Sequence, residues 1–414
     1  MTRLKAIAAA ACAVFAHGAV LAAPADDLDT LFEEYWSNEM EENPFSATYA
    51  GVNGFDDKVP GVAPADYARR RAEAEAFLAR LENIDLSEVD ESYALSAELL
   101  AFILKHDIAL AAFDRWRIPF LADTGFHTEF NYVVGATAFR TEADYEAYIA
   151  RLKGLPKYIG QNIENMRQGL ADGFSQPKEI LPYILPSFEA QVKDNAAAHP
   201  YYAPFKSMPA SIPARRQAAL RKQGRAVLED EVIPAFARLA EFMRDEYMPN
   251  ARETLGAYDL PNGREYYRAL VRYYTTLDTA TPESIHALGL REVARIRKEM
   301  NAIIAETGFD GTFKEFIEFL RTDKQFYPRT PEALLERAAW IAKDIDGRLP
   351  AYFGKLPRQP YSVEPVPAEI APNYTTGRYV GAPLEGPRGG QYWVNTYALD
   401  KRPFYEMTAL TLHE

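Results

Sequence analysis

Apolar positions recur at helical spacing along most of the chain. Leu28, Leu31, Phe32, Tyr35 and Trp36 share one face, which Asn43-Pro44 interrupts; Gly51 to Pro64 is a Gly/Pro/Asp-rich loop. The same period predicts a helix over 65–81 and a strongly apolar, central one over 93–112. The stretch 116–135 is less regular. Thr141 and Asp144 form a capping box that opens a helix to Gly169, with Tyr145, Tyr148, Ile149, Leu152 and Tyr158 as its stripe. A shorter helix covers 179–192, and 213–247 is one long helix or two. Pro261-Asn262-Gly263 is a turn before a tyrosine-dense segment, Tyr266-Tyr267 to Tyr273-Tyr274. Tyrosines at this spacing fit a core with hydroxyls at the rim, and also a peptide cleft. Thr281 caps a helix whose buried stripe is Ile285, Leu288, Val293, Ile296 and Met300. Thr312 with Glu315, and Thr330-Pro331, start two more helices.

Beyond Leu356 the period is lost. Pro357, Pro360, Pro365, Pro367, Pro372, Pro383 and Pro387 exclude long helices, and Gly377, Gly381, Gly386, Gly389 and Gly390 supply turns. The best strand in the chain is 391–397. It fits an edge strand that takes substrate backbone, and equally an ordinary hairpin. Pro403 then opens a final helix with Phe404, Met407, Leu410 and Thr411 on one face. The expected fold is mainly α: a large multi-helix body with a small Pro/Gly-rich β region near the C-terminus. Three regions are expected: a signal peptide over 1–25, an N-terminal helical region over 26–255, and the start of a catalytic region over 256–414.

Composition narrows the function classes. Hydrophobic residues make up 48% and charged residues 25%, enough to bury a core. Arg3 and Lys5, then the apolar run 6–23 and Ala23-Pro24-Ala25, have the order of a secretory leader. Its loss takes the formal charge from −13 to −15, which argues against nucleic acid and anionic membrane as partners. The sole Cys, Cys12, lies in that run, so the mature chain has no disulfide and no thiol nucleophile. Ala10-Ala11-Cys12 resembles a lipoprotein box, but the apolar run continues past it. No other segment is long and apolar enough to span a bilayer, so an exported, periplasmic or extracellular product is expected.

Candidate chemistry is sparse. The Arg69-Arg70-Arg71 run, interleaved with Glu73 and Glu75, fits a solvated helix face better than an anion site. His106 fits a surface or satisfied histidine. His127 and Glu129 could offer an imidazole and a carboxylate to a cleft, though one intervening residue is not a helical ligand spacing. The chain ends on His413-Glu414, the pair that begins a zinc-hydrolase helix motif. In that chemistry the His binds metal and the Glu takes a proton from the metal-bound water. With six His in the chain the dipeptide alone is uninformative, and the second and third ligands would have to follow Glu414.

Several stretches together carry a family resemblance. They are 143–148 with Leu155-Pro156, 201–213, Leu260-Pro261-Asn262-Gly263 with Tyr266-Tyr267, 273–276, 281–293, Tyr392, Asn395, and Leu412-His413-Glu414. From about Leu28 to Glu414 the chain resembles the bacterial family known as domain of unknown function 885. The resemblance implies a mostly helical, zincin-like metallohydrolase fold grouped with metallopeptidases. Its motif continues as two variable residues and Pro-Gly-His-His, so the sequence is expected to be cut inside that motif. By the match, His413 is a zinc ligand and Glu414 the general base. Tyr392, Trp393 and Asn395 would line the cleft, and Tyr374 or Tyr397 would stabilise an oxyanion. The expected substrate is a peptide or small amide, with the 414-residue fragment itself inactive. The rival expectation is a helical binding protein that keeps a peptidase-like cleft without turnover.

Overall fold

The computed structural model describes residues 24–121, 124–368, 371–382 and 389–414. The leader up to Ala23, with Cys12, and Pro383, Gly386 and Pro387 lie outside the described residues. The chain divides into two compact units, one of residues up to Glu42 and 61–115, the other of 43–60 and 116–414.

The first unit contains α1 (Pro24–Glu42), α3 (Pro64–Leu81) and α4 (Glu91–Ala111); α2 (Pro44–Ala50) belongs to the second. Leu28, Leu31, Leu81, Ala97, Leu100 and Leu104 form its core, with Phe32, Tyr35 and Phe77 packed around them. Two expectations are corrected here. The 93–112 helix is not buried all round: Leu95 and Leu99 are 54% and 55% exposed, because α1 and α3 cover one face only. The arginine run is not uniformly solvated. Arg71 pairs with Glu75 at 3.0 Å along the surface, but Arg70 Nε reaches the part-buried Glu42 at 3.0 Å and Arg69 pairs with the same carboxylate. Burial alone would raise the Glu42 pKa; the two guanidiniums outweigh it and lower it.

The second unit is organised on α6 (Glu142–Asp172), which contacts α5 (Phe126–Ala136), α9 (Ala214–Val227) and α10 (Ile233–Phe242). The predicted capping box is present, with Thr141 and Asp144 satisfying each other's backbone N–H. Every residue of the predicted stripe is buried. α7 (Leu181–Glu189) follows, then the single turn α8 (Ala203–Lys206). The 213–247 helix is continuous: π-turns at 228–232 and 243–247 join α9, α10 and α11 (Met248–Asn250). The irregular stretch expected at 116–135 contains α5 instead.

Arg151, in the middle of α6, is fully buried. Nη1 donates to Thr48 Oγ1 at 2.9 Å, Nε to Lys58 O at 2.8 Å, and Nη2 to Phe55 O at 2.5 Å and Pro44 O at 3.3 Å. This side chain ties both ends and the middle of the 43–60 segment to α6, beside the packing of Phe45 on Phe130 and Tyr158. Burial lowers its pKa, and Asp56 and Asp57 oppose that.

α12 (Gly263–Thr275), α13 (Pro282–Glu306) and α14 (Phe313–Thr322) are thinly packed. The stripe expected to be buried on α13 is open: Leu288 is 48% and Val293 65% exposed, and Ile304 is the buried residue of the helix. Periodicity identifies residues that share a face, and among the described residues α12 and α14 are the main neighbours of that helix. Tyr274, 75% exposed, likewise departs from the expected core position.

α15 (Pro331–Asp346) and α16 (Phe404–His413) pack on a three-stranded sheet of β1 (Tyr361–Pro365), β2 (Gly377–Val380) and β3 (Gly390–Val394). Leu334, Ala338, Ile341, Tyr392, Val394 and Met407 form the shared core. Strand order is β1-β3-β2, with β3 parallel to β1 and antiparallel to β2. The strand predicted at 391–397 is therefore central, not an edge, because both its sides are paired. Among the described residues no helix is long and apolar enough to cross a membrane.

Candidate functional site

α16 forms as its sequence suggests: Pro403 precedes it, and Phe404, Met407 and Leu410 face the shared core. Thr411 on the same face meets the Tyr392 hydroxyl at 3.3 Å. This anchorage turns the other face outward, so the His413 side chain is exposed and Glu414 half-buried. Glu414 Oε2 accepts the backbone N–H of Tyr379 at 2.5 Å, on the edge strand β2.

The expected site residues part company around this pair. Tyr392 is 2% exposed and belongs to the core; burial raises its hydroxyl pKa, the Thr411 hydrogen bond opposes that, and Glu414 adds to it. Asn395 is fully buried and structural. Its Nδ2 donates to the carbonyls of Ala371, Tyr374 and Thr375 at 2.9–3.1 Å, and its Oδ1 accepts the Tyr397 N–H at 2.9 Å. These bonds leave it no free polar group to offer a ligand. Trp393 is half-buried, on the sheet face opposite Tyr392, with its ring 6.0 Å from that of Tyr374. Tyr374, like Tyr392, lies within electrostatic reach of Glu414, but unlike Tyr392 it is not part of the buried core. Burial raises its hydroxyl pKa against the Arg378 cation, and Tyr132 and Glu414 add to the rise. Tyr397 is 52% exposed, and its backbone N–H is held by Asn395 Oδ1.

Two residues that the sequence did not single out face the same region. Tyr379 supplies the amide that holds Glu414. Tyr132, on α5, comes within electrostatic reach of Tyr374. Tyr132 borders a recess of about 400 Å³ whose lining includes Pro119, Phe120, Phe126, Thr128 and Glu129. Burial raises the Glu129 pKa, and a hydrogen bond from Tyr158 opposes it. His127 points elsewhere: it is 1% exposed, stacks on Phe188 at 3.7 Å, and its Nε2 lies 2.8 Å from Ser187 Oγ. Phe126, Glu129 and Tyr132 are three residues apart and share a helix face. That spacing was available in the sequence once 126–136 is taken as helical.

A metal would need more than this. Among the described residues no group of three His, Cys, Asp or Glu side chains could hold one. His413 and Glu414 therefore do not by themselves fit a zinc ion, which takes at least three protein ligands.

The search of curated proteins finds no match. Among solved structures, the chain is similar to one from Colwellia psychrerythraea described as a "putative lipoprotein", with a TM-score of 0.85 and 22% sequence identity. The alignment covers 95% of this chain and 71% of that one, and at this identity it shows the fold alone. The family described as "Bacterial protein of unknown function (DUF885)" matches residues 44–414. The chain belongs to the DUF885 family.

Proposed function

We propose that the intact protein is an exported hydrolase of peptides or small amides, with Glu414 as general base and His413 as one ligand of a zinc ion. The observation that supports this reading is the pairing at the end of α16. An exposed imidazole stands next to a carboxylate that an edge-strand amide orients. In this reading the other ligands come from outside residues 1–414, and the 414 residues alone are inactive. Zinc, when bound, would polarise a carbonyl and acidify water. Glu414 would take the proton from the attacking water, with Tyr379 N–H holding one of its oxygens and leaving the other free. The Tyr374 hydroxyl is the candidate donor to an oxyanion. The leader-like sequence over 1–25 and the description of the Colwellia structure support export.

The test uses the intact gene product, metal analysis and a peptide library. Glu414→Gln should keep the metal and lose cleavage by at least about 100-fold, as expected for a general base. His413→Ala should lose the metal. An intact protein that carries no metal and cleaves nothing, or a Glu414→Gln variant with unchanged cleavage, overturns the proposal. The rival, a binding protein without turnover, draws support from the recess on α5.

A further inference from the structure

We propose that the recess between Glu129 and Tyr132 is a binding site for an organic cation, an ammonium or guanidinium group carried on an apolar or aromatic frame. Four observations converge. The recess is about 400 Å³, the size of one residue-sized group, and Phe120, Phe126 and Tyr132 give it aromatic walls. Among the described lining residues Glu129 is the one carboxylate, and it is half-buried on α5. Tyr158 supplies it a hydroxyl hydrogen bond, but among the described residues no Lys, Arg or His forms an ion pair with it. Thr128 is committed to the Gly125 backbone, with its Oγ1 accepting from Gly125 N at 3.3 Å and lying 3.1 Å from Gly125 O.

Chemistry then selects the occupant. A desolvated carboxylate without a cation is costly, so a site of this kind favours the missing positive charge. Aromatic faces add cation–π attraction and cover the apolar part of the ligand. An anion would meet repulsion from Glu129, and a sugar would find few donors. Tyr132 also lies within electrostatic reach of Tyr374, and Tyr374 within reach of Glu414. Resting on the hydrolase reading, the cation is then the free amine or basic side chain of the substrate. The binding itself does not depend on that reading.

The experiment is binding at pH 7.5 by calorimetry and ligand-observed NMR, with three probes of one shape: phenethylamine, phenethyl alcohol and 3-phenylpropionate. The amine should bind, the alcohol at least about tenfold more weakly, and the acid not at all. Glu129→Gln keeps the bond to Tyr158 and should weaken the amine about tenfold while leaving the alcohol unchanged. Equal binding of amine and alcohol, or unchanged amine binding by Glu129→Gln, overturns the proposal. Tyr132→Leu, at an exposed position, guards against misfolding of the first variant and should weaken the amine several-fold; no effect counts against the site. Because only binding is read, loss of the metal or of cleavage in other variants leaves this result intact.

Discussion

The Glu414 carboxylate rests on the backbone N–H of Tyr379 at 2.5 Å, so the last helix turn and the outer edge of β2 are joined by one hydrogen bond. The bond is exposed, and such a bond contributes about 1 kcal/mol or less. Glu414→Ala is expected to shift the urea midpoint of the 414-residue chain by no more than that. If Glu414 is the general base of the proposed hydrolase, the same change should cost cleavage at least about 100-fold, so stability and activity would separate at this residue.

Arg151 presents the opposite case. Removing its guanidinium leaves the carbonyls of Pro44, Phe55 and Lys58 and the Thr48 hydroxyl without their shared donor. Arg151→Met is expected to cost about 3 kcal/mol or more, read from urea unfolding. Arg151→Lys should recover only part of it, since one ammonium cannot reach acceptors spread around a planar fork.

His127 sets an acid-side slope. Burial holds its imidazole down to about 3, from an ordinary 6.5, and His199 is held down to about 4 the same way. The folded chain keeps both neutral while the unfolded chain takes protons below about 6.5. Stability is therefore lost as pH falls from 6.5 toward 3, by at most about 1.4 kcal/mol per unit and per group. In His127→Leu the loss between pH 7 and 5 should shrink by about 2 kcal/mol. Ser187 keeps its bond to Ile184 O at 2.7 Å in that variant. Identical pH profiles for the two proteins would show that His127 titrates normally.

Val293 and Leu288 test the open face of α13. With Val293 65% exposed, Val293→Lys should cost less than about 0.5 kcal/mol in the 414-residue chain, as a surface change does. It should also reduce concentration-dependent light scattering, because it interrupts an exposed apolar stripe. A large destabilisation would mean that the stripe is covered in solution.

How much of this was written in the sequence depends on the range of each interaction. The boxes at Thr141–Asp144 and Thr312–Glu315 close within four residues, and both helices begin where those residues place them. The apolar face of α16 was legible for the same reason. The order of the sheet was not: the strand at 390–394 looks alike whether it is central or marginal, and its two neighbours are set by segments elsewhere in the chain. Asn395 and Tyr392, polar residues beside the candidate motif, read as cleft lining, but their partners are backbone carbonyls and the half-buried Thr411. In the sequence Glu129 pairs most obviously with His127, its neighbour but one, whereas Phe126 and Tyr132, which line the recess with it, lie one helical turn away on either side.

The clamp that Arg151 makes on residues 43–60 has a practical consequence for dissecting the protein. The chain crosses between its two units three times, at 42/43, 60/61 and 115/116. N-terminal trimming that discards the three-helix unit also discards the strap beneath α6, and would strand a guanidinium in the interior. A severed piece that keeps the Arg151 contacts must retain 43–60, rejoined to 116 by a linker.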